Sequence, residues 1–265
     1  MRNNDLTPYE QFLKNKKNEK RKILFWQIFI LIIFLLQWEI LAKNKIIDVF
    51  LFSKPSDIHY LFKEYVKNGE LFRHIGISLW ETILGFTIGT ILGILIAILL
   101  WWFETVSKIL DPFLVVLNAL PKTALAPILI VWAGAGIKGI VVIAITLSIV
   151  TTILSAYNYF INADEEKIKM LKSFGATKGQ ILTKLILPSN IGNIINIVKI
   201  NIGLSWVGVI VGEFLVSRYG IGYLIVYGGQ VFKLDLVMMG VAVLAVCALV
   251  MYQIVNIIEK KYKEG

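Results

Sequence analysis

Six apolar runs of about twenty residues or more, near 23–42, 77–102, 113–132, 139–160, 191–216 and 236–258, constrain this chain more than anything else in it. A run of that length spans a bilayer core as a helix, and within lipid each backbone amide has to find its partner inside its own segment. The chain therefore reads as an all-α integral membrane protein with six transmembrane helices. Composition agrees: 57% of the 265 residues are hydrophobic, and the 17% that are charged gather between the runs. The net charge of +9 reflects lysines and arginines flanking membrane helices, where they orient the protein and meet anionic lipid, so no nucleic-acid partner is implied. Cys247 is the single cysteine and His59 and His74 stand apart, which excludes an intrachain disulfide and gives no metal site. There is no His, Cys or carboxylate cluster for a reaction centre and no G-x4-G-K-[ST] phosphate loop. The first run follows 22 residues and lacks a small-residue cleavage site, so it reads as a span rather than a leader.

Residues 1–22 form a basic tail (Arg2, Lys14, Lys16, Lys17, Lys20, Arg21, Lys22), read as mobile or interfacial, and 23–265 form one transmembrane domain. The connection 43–76 carries Pro55 and an amphipathic stretch from Ile58 to Val66. In the second run Gly85, Gly89 and Gly93 fall four apart, a face that lets another helix come close. Pro121, Lys122 and Pro127 interrupt the third run, and a lysine at that depth has to face protein or water. Six spans put both termini and the central loop on one side. That side holds sixteen basic residues against nine on the other, which places it in the cytoplasm.

The central polar stretch, 162–188, reads as two short helices hinged at a glycine. Asn162 is the expected cap of the first, Asp164, Glu165 and Glu166 fill its first turn, and Ile168, Leu171 and Phe174 give it an apolar face. Gly175 has the position of a C′ residue, Thr177 and Gln180 the spacing of a capping box, and Pro188 is expected to end the second helix. A piece with so little apolar area of its own needs a surface to dock on.

The fifth run is the most polar. Asn196, Lys199, Gly203, Trp206, Ile210 and Glu213 recur at threes and fours and share one stripe. Since a charge at the bilayer centre costs at least about 2.5 kcal/mol, the stripe is expected to face a solute path or a subunit interface, together with Asn118 and Lys122. On that reading the two lysines attract an anion, and Glu213 pairs with one of them or lies near the outer mouth. Snorkelling of Lys199 and simple packing of Glu213 is the alternative. A channel or secondary carrier acting alone would also suit polar intramembrane residues.

Gly175, nine residues, then Leu185-Ile186-Leu187-Pro188 resembles the G-x9-I-x-LP half of the EAA loop, through which permeases of ATP-binding-cassette (ABC) importers engage their ATPases. The match departs at Lys169-Met170-Leu171, which stands where Glu-Ala-Ala is usual; Glu165 and Glu166 lie one turn earlier. The stretches SKPSDI (53–58), GELFRHIGISLWETILGF (69–86), LPKTALAPILIVWAGAG (120–136) and SRYGIGYLI (217–225) are, in that order, similar to permeases of the nitrate, sulfonate and taurine importer family. The resemblance implies a type I importer transmembrane domain with its family core at about 77–258, in a bacterial cytoplasmic membrane. It implies a permease that does no chemistry and binds no cofactor, with ATP and Mg on a partner ATPase dimer. It further implies an extracytoplasmic substrate-binding protein and a second permease copy as partners. Glu165, Glu166, Lys169, Leu171, Phe174, Gly175, Ala176 and Thr177 would then form the ATPase-coupling segment. The cargo would be a small anion such as a sulfonate, nitrate or taurine, or else a heteroaromatic vitamin precursor.

Overall fold

The structure, a computed structural model, describes residues 7–264. Arg2 of the basic tail lies outside them, and the side chains of Lys261 and Lys263 are likewise outside the description. The described residues fold into helices and turns without a strand. Five helices are long and apolar enough to cross a membrane: α1 (Pro8–Lys43), α4 (Glu70–Trp102), α7 (Ile137–Ile161), α11 (Ile191–Val216) and α13 (Leu234–Glu264). A sixth crossing is possible through a broken pair, α5 (Glu104–Ala119) and α6 (Ala126–Ala133), which meet at 88°. The short helices are α2 (Val49–Phe52), α3 (Pro55–Lys67), α8 (Glu165–Ser173), α9 (Lys178–Ile181), α10 (Leu187–Ser189) and α12 (Ile221–Gln230).

α7 lies between α4 and α11, and small residues set the distances. A Cβ built on Gly85, Gly89 or Gly93 of α4 would sit 2.5 Å from Ala144 Cβ, 2.3 Å from Ser148 Oγ and 2.6 Å from Thr152. On the opposite side, a Cβ on Gly208 of α11 would lie 2.5 Å from the Cα of the same Ala144. The glycine face expected from sequence is thus a helix–helix contact. Lipid tails are as apolar as leucine, so such association rests on close packing and interhelical hydrogen bonds. One such group is present: Asn201 of α11 donates to Thr90 Oγ1 of α4 at 2.8 Å and to Thr152 Oγ1 of α7 at 2.7 Å, in a fully buried position.

Several boundaries differ from the sequence reading. The tail from Pro8 onward is helical and continuous with the first span, because Thr7 and Glu10 form a capping box ahead of Pro8. Residues 104–111, between the second and third runs, are the start of α5, with Pro112 tolerated inside it. The third span breaks fully, through Leu120, Pro121 and a 3₁₀ turn at Lys122–Leu125. Residues 221–230, between the fifth and sixth runs, form α12, whose cap comes from distant elements. The amphipathic stretch after Pro55 is α3, as expected. α1 touches the rest chiefly through α3, where Glu39 accepts the Ser56 amide at 3.0 Å, and its apolar face is otherwise uncovered.

The glycine contacts are testable. Gly208→Ala pushes a methyl into the Ala144 backbone and should cost about 1–3 kcal/mol, read as a lower melting temperature in detergent. Gly203→Ala on the same helix, with nothing within 4 Å, should leave melting unchanged or raise it. Equal behaviour of the two would contradict the packing described.

Candidate functional site: a coupling segment and a buried carboxyl pair

The central polar stretch folds as a helix, a glycine turn and a second helix that runs on into α11. Asp164, not Asn162, caps α8: its Oδ1 accepts the amides of Glu166 at 3.0 Å and Lys167 at 3.2 Å, while Asn162 ends α7. The Lys167 side chain beside Asp164, with these amides, holds its carboxyl below the usual carboxylate range. At the other end the Ala176 amide reaches Leu171 O at 3.0 Å and the Gly175 amide Lys172 O at 2.9 Å. This is a Schellman closure, and it requires the positive φ of +77° that Gly175 adopts. Thr177 and Gln180 then form the expected capping box.

Pro188 does not end the second helix. Leu182–Ile186 is a π-helical turn, α10 follows directly, and the chain passes through Asn190 into α11. Proline lacks an amide, so a helix can pass it where the hydrogen-bond register is already shifted. Ile181, Leu182 and Ile186 are buried against Ala97 of α4, Ala156 and Phe160 of α7 and Ile197 of α11. Lys178 donates to the last carbonyl of α4, Trp102 O, at 2.7 Å and lies over the Trp101 ring at 5.4 Å. The segment is therefore fastened to one end of α4, α7 and α11. Its outer side is bare: Phe174 is 81% and Met170 53% exposed. Glu165, Glu166, Lys169 and Thr177 are exposed as well, whereas Leu171 and Ala176 turn inward. Glu165 and Lys169 pair with each other at 3.4 Å.

Part of the fifth-span stripe packs inside the chain, while Asn196 and Gly203 are exposed. Trp206 lies in a core with Leu71, Ile221, Leu224 and Met239. Lys199 pairs with Glu259 of α13 and lies near Asn256. Glu213 has no lysine partner among the described residues; it accepts from Ser78 Oγ and from the Gly222 amide, both at 2.5 Å. Glu81 of α4 is buried as deeply, and both glutamates are 1% exposed.

Around this pair the first amides of α12 each find a buried side-chain acceptor. Gly220 N donates to His74 Nδ1 at 2.9 Å, Ile221 N to Ser78 Oγ at 2.7 Å, and Gly222 N to Glu213. A Cβ at Gly220 would lie 2.2 Å from the Glu213 carboxyl, so SRYGIGYLI needs its first glycine for space as well as for its φ of +113°. Sequence reasoning passed over Glu81, Ser78 and His74. A carboxylate in the second run was the available signal.

Asn118 and Lys122 do come together: Lys122 Nζ donates to Asn118 Oδ1 at 3.0 Å and to Thr151 Oγ1 of α7 at 3.4 Å. Lys122 and Lys199 have no partner in common, since Lys199 is held from α13.

Glu213→Leu strands the Ser78 hydroxyl and the Gly222 amide away from water, at about 1–3 kcal/mol per orphaned group, and should lower the detergent melting temperature markedly. Glu81→Gln removes neither of these bonds and should lower it less. A Glu81→Gln loss as large as that of Glu213→Leu would contradict the role given to the Glu213 bonds.

Comparison with known proteins gives this geometry a setting. The chain is 28% identical over 225 residues to a Bacillus subtilis protein named as an aliphatic sulfonates transport permease, covering 84% of this chain and 81% of that one. It is 26% identical over 178 residues to the Escherichia coli taurine transport system permease protein, covering 67% and 65%. A formylaminopyrimidine transport permease protein of Halalkalibacterium halodurans is 29% identical over 170 residues, covering 64% and 68%. Among solved structures, the inward-facing MetNI methionine ABC transporter superposes with a TM-score of 0.58 at 14% identity, over 73% of this chain and 92% of that chain. The fold is that of a type I importer transmembrane domain. Residues 89–264 match the family described as the binding-protein-dependent transport system inner membrane component. The chain belongs to this family, as a multi-pass inner-membrane permease subunit of an ABC importer.

Proposed function

We propose that this permease carries small organic anions of the sulfonate class across a bacterial cytoplasmic membrane, with both termini and the coupling segment cytosolic. In this reading an ATP-binding-cassette ATPase dimer, which alone holds ATP and Mg, docks on α8, and an extracytoplasmic binding protein delivers the solute. The observation that carries it is the coupling segment, which is clamped to the bundle on its inner side and bare on its outer side, with Phe174 foremost. Because α9, the π turn, α10 and α11 run on from one another, movement of α8 has a stiff route into the bundle. ATP binding on the partner would thereby shift an equilibrium between inward-open and outward-open states.

Two copies of the permease fit the exposed α5–α6 break. Asn118 is exposed and Lys122 half exposed in the single chain, at a depth where a cation has to meet protein or water. A second copy across a shared path supplies that surroundings. Lys122 has no carboxylate partner among the described residues, unlike Lys199, and is the cation we place on the path. The sulfonate assignment is supported by the relatives named for aliphatic sulfonates and taurine. The formylaminopyrimidine relative supports a heteroaromatic cargo as the second reading.

Proline cannot adopt the φ of Gly175 and would remove the amide bonded to Lys172 O. Gly175→Pro, and independently Phe174→Glu, should each reduce ATPase co-purification at least tenfold while membrane insertion is retained. Absence of any ATPase with the intact protein would sink the importer reading in favour of a self-sufficient channel. Lys122→Gln should keep the ATPase and lower uptake; unchanged uptake would remove Lys122 from the path.

A further inference from the structure

At the end of α4 remote from the coupling segment, the start of α4 and residues 218–227 enclose a cavity of about 460 Å³. Its polar wall is unusual for a membrane chain. Arg73 and Arg218 are both exposed, and the ion pairs among the described residues include neither. Arg73 lies 3.9 Å over the Tyr219 ring. Tyr223 stacks between His74, at 6.0 Å and 5°, and Tyr227, at 5.7 Å and 17°, so a ladder of ring faces and edges borders the same space. Glu70 is the one carboxylate on the wall and leaves it with an excess of one positive charge.

We infer that this cavity is a binding site for a small organic monoanion, its charged head on the Arg73 and Arg218 guanidiniums and its carbon portion on the faces of Tyr223 and Tyr227. Guanidinium groups present a planar fork that suits sulfonate and carboxylate oxygens, and unpaired ones have that capacity free. Ring faces take alkyl or aryl carbon without demanding a fixed shape. A single excess positive charge favours one anionic group over a dianion such as sulfate. Tyr219 and Tyr223 on its wall flank the Gly220–Gly222 turn, which His74, Ser78 and Glu213 tie to α4 and α11. An occupant therefore lies beside the joint between the two helices that reach the coupling segment. The assignment of this site to solute entering from outside rests on the importer reading and names its entry point; the binding chemistry itself does not depend on it.

The test uses the purified permease–ATPase complex in phosphatidylcholine nanodiscs, titrated with butanesulfonate by calorimetry. Saturable binding is expected, weakened at least tenfold in the Arg73→Gln/Arg218→Gln double variant and severalfold in Tyr227→Ala, with Arg218→Lys between wild type and Arg218→Gln. Sulfate and butyltrimethylammonium should not compete. ATPase retention by each variant, together with the wild-type melting temperature, shows that the fold is intact. Unchanged affinity in the double variant, or equal binding of butyltrimethylammonium, would overturn the site. Repeating the titration in phosphatidylglycerol nanodiscs separates a solute from a lipid headgroup: unchanged affinity supports the solute, and loss of butanesulfonate binding overturns it. Failure to recover an ATPase at the purification step counts against the importer reading alone, and the sulfonate titration still decides the cavity.

Discussion

Ala144 holds the bundle together. Its Cβ faces Gly85 of α4 and its backbone faces Gly208 of α11, so three helices approach at one residue as closely as side chains allow. In lipid there is no water to drive such an approach, and dispersion at short range together with hydrogen bonds has to suffice. Asn201 supplies the bonds one to two turns away, reaching Thr90 and Thr152 at once. The other helices hang on this three-helix contact. α13 and α12 close one flank of α11, α5 and α6 lie along α7, and α1 stays at the margin against α3.

α4 reaches both ends of the bundle. It is 33 residues long, so about 50 Å separate its first residue from its last. Arg73 and His74 stand near the first turn, and Trp102 O receives Lys178 of the coupling segment at the last. α11 parallels this arrangement, with Glu213 at the α12 cap and its other end continuous with the segment that carries Ile181 and Ile186. The two helices are thus tied together at both ends, by the α12 cap at one and the buried Ile181–Ile186 segment at the other.

Much of this was legible in the chain itself, where the determinant was local. The apolar runs other than the broken third, the glycine face on α4, the turn at Gly175 and the Thr177–Gln180 box depend on residues within a few positions of one another, and each stands where it was read. Misreadings arose where the deciding contact was remote. Asn162 and Asp164 are both acceptable caps, and only the extent of α7 assigns Asn162 to its end. Pro188 ends helices unless the register ahead of it is already shifted, which a π turn buried on α4 and α7 arranges. Lys199, Trp206 and Glu213 of the fifth-run stripe turn into the chain, while Asn196 and Gly203 of the same stripe are exposed. What these residues meet was invisible, because Glu259 lies 60 positions from Lys199 and Ser78 lies 135 from Glu213.

The cap of α12 carries a consequence for the order of assembly. Its first three amides are satisfied by His74, Ser78 and Glu213, the first two of which were synthesised more than 140 residues earlier. None of these acceptors belongs to α12 itself, so the turn at Gly220 has no independent reason to form. Away from water it becomes favourable only once α4 and α11 stand side by side. The final third of the protein is thus templated by its first third, and α12 with the flank of α13 it covers closes over a bundle that already exists.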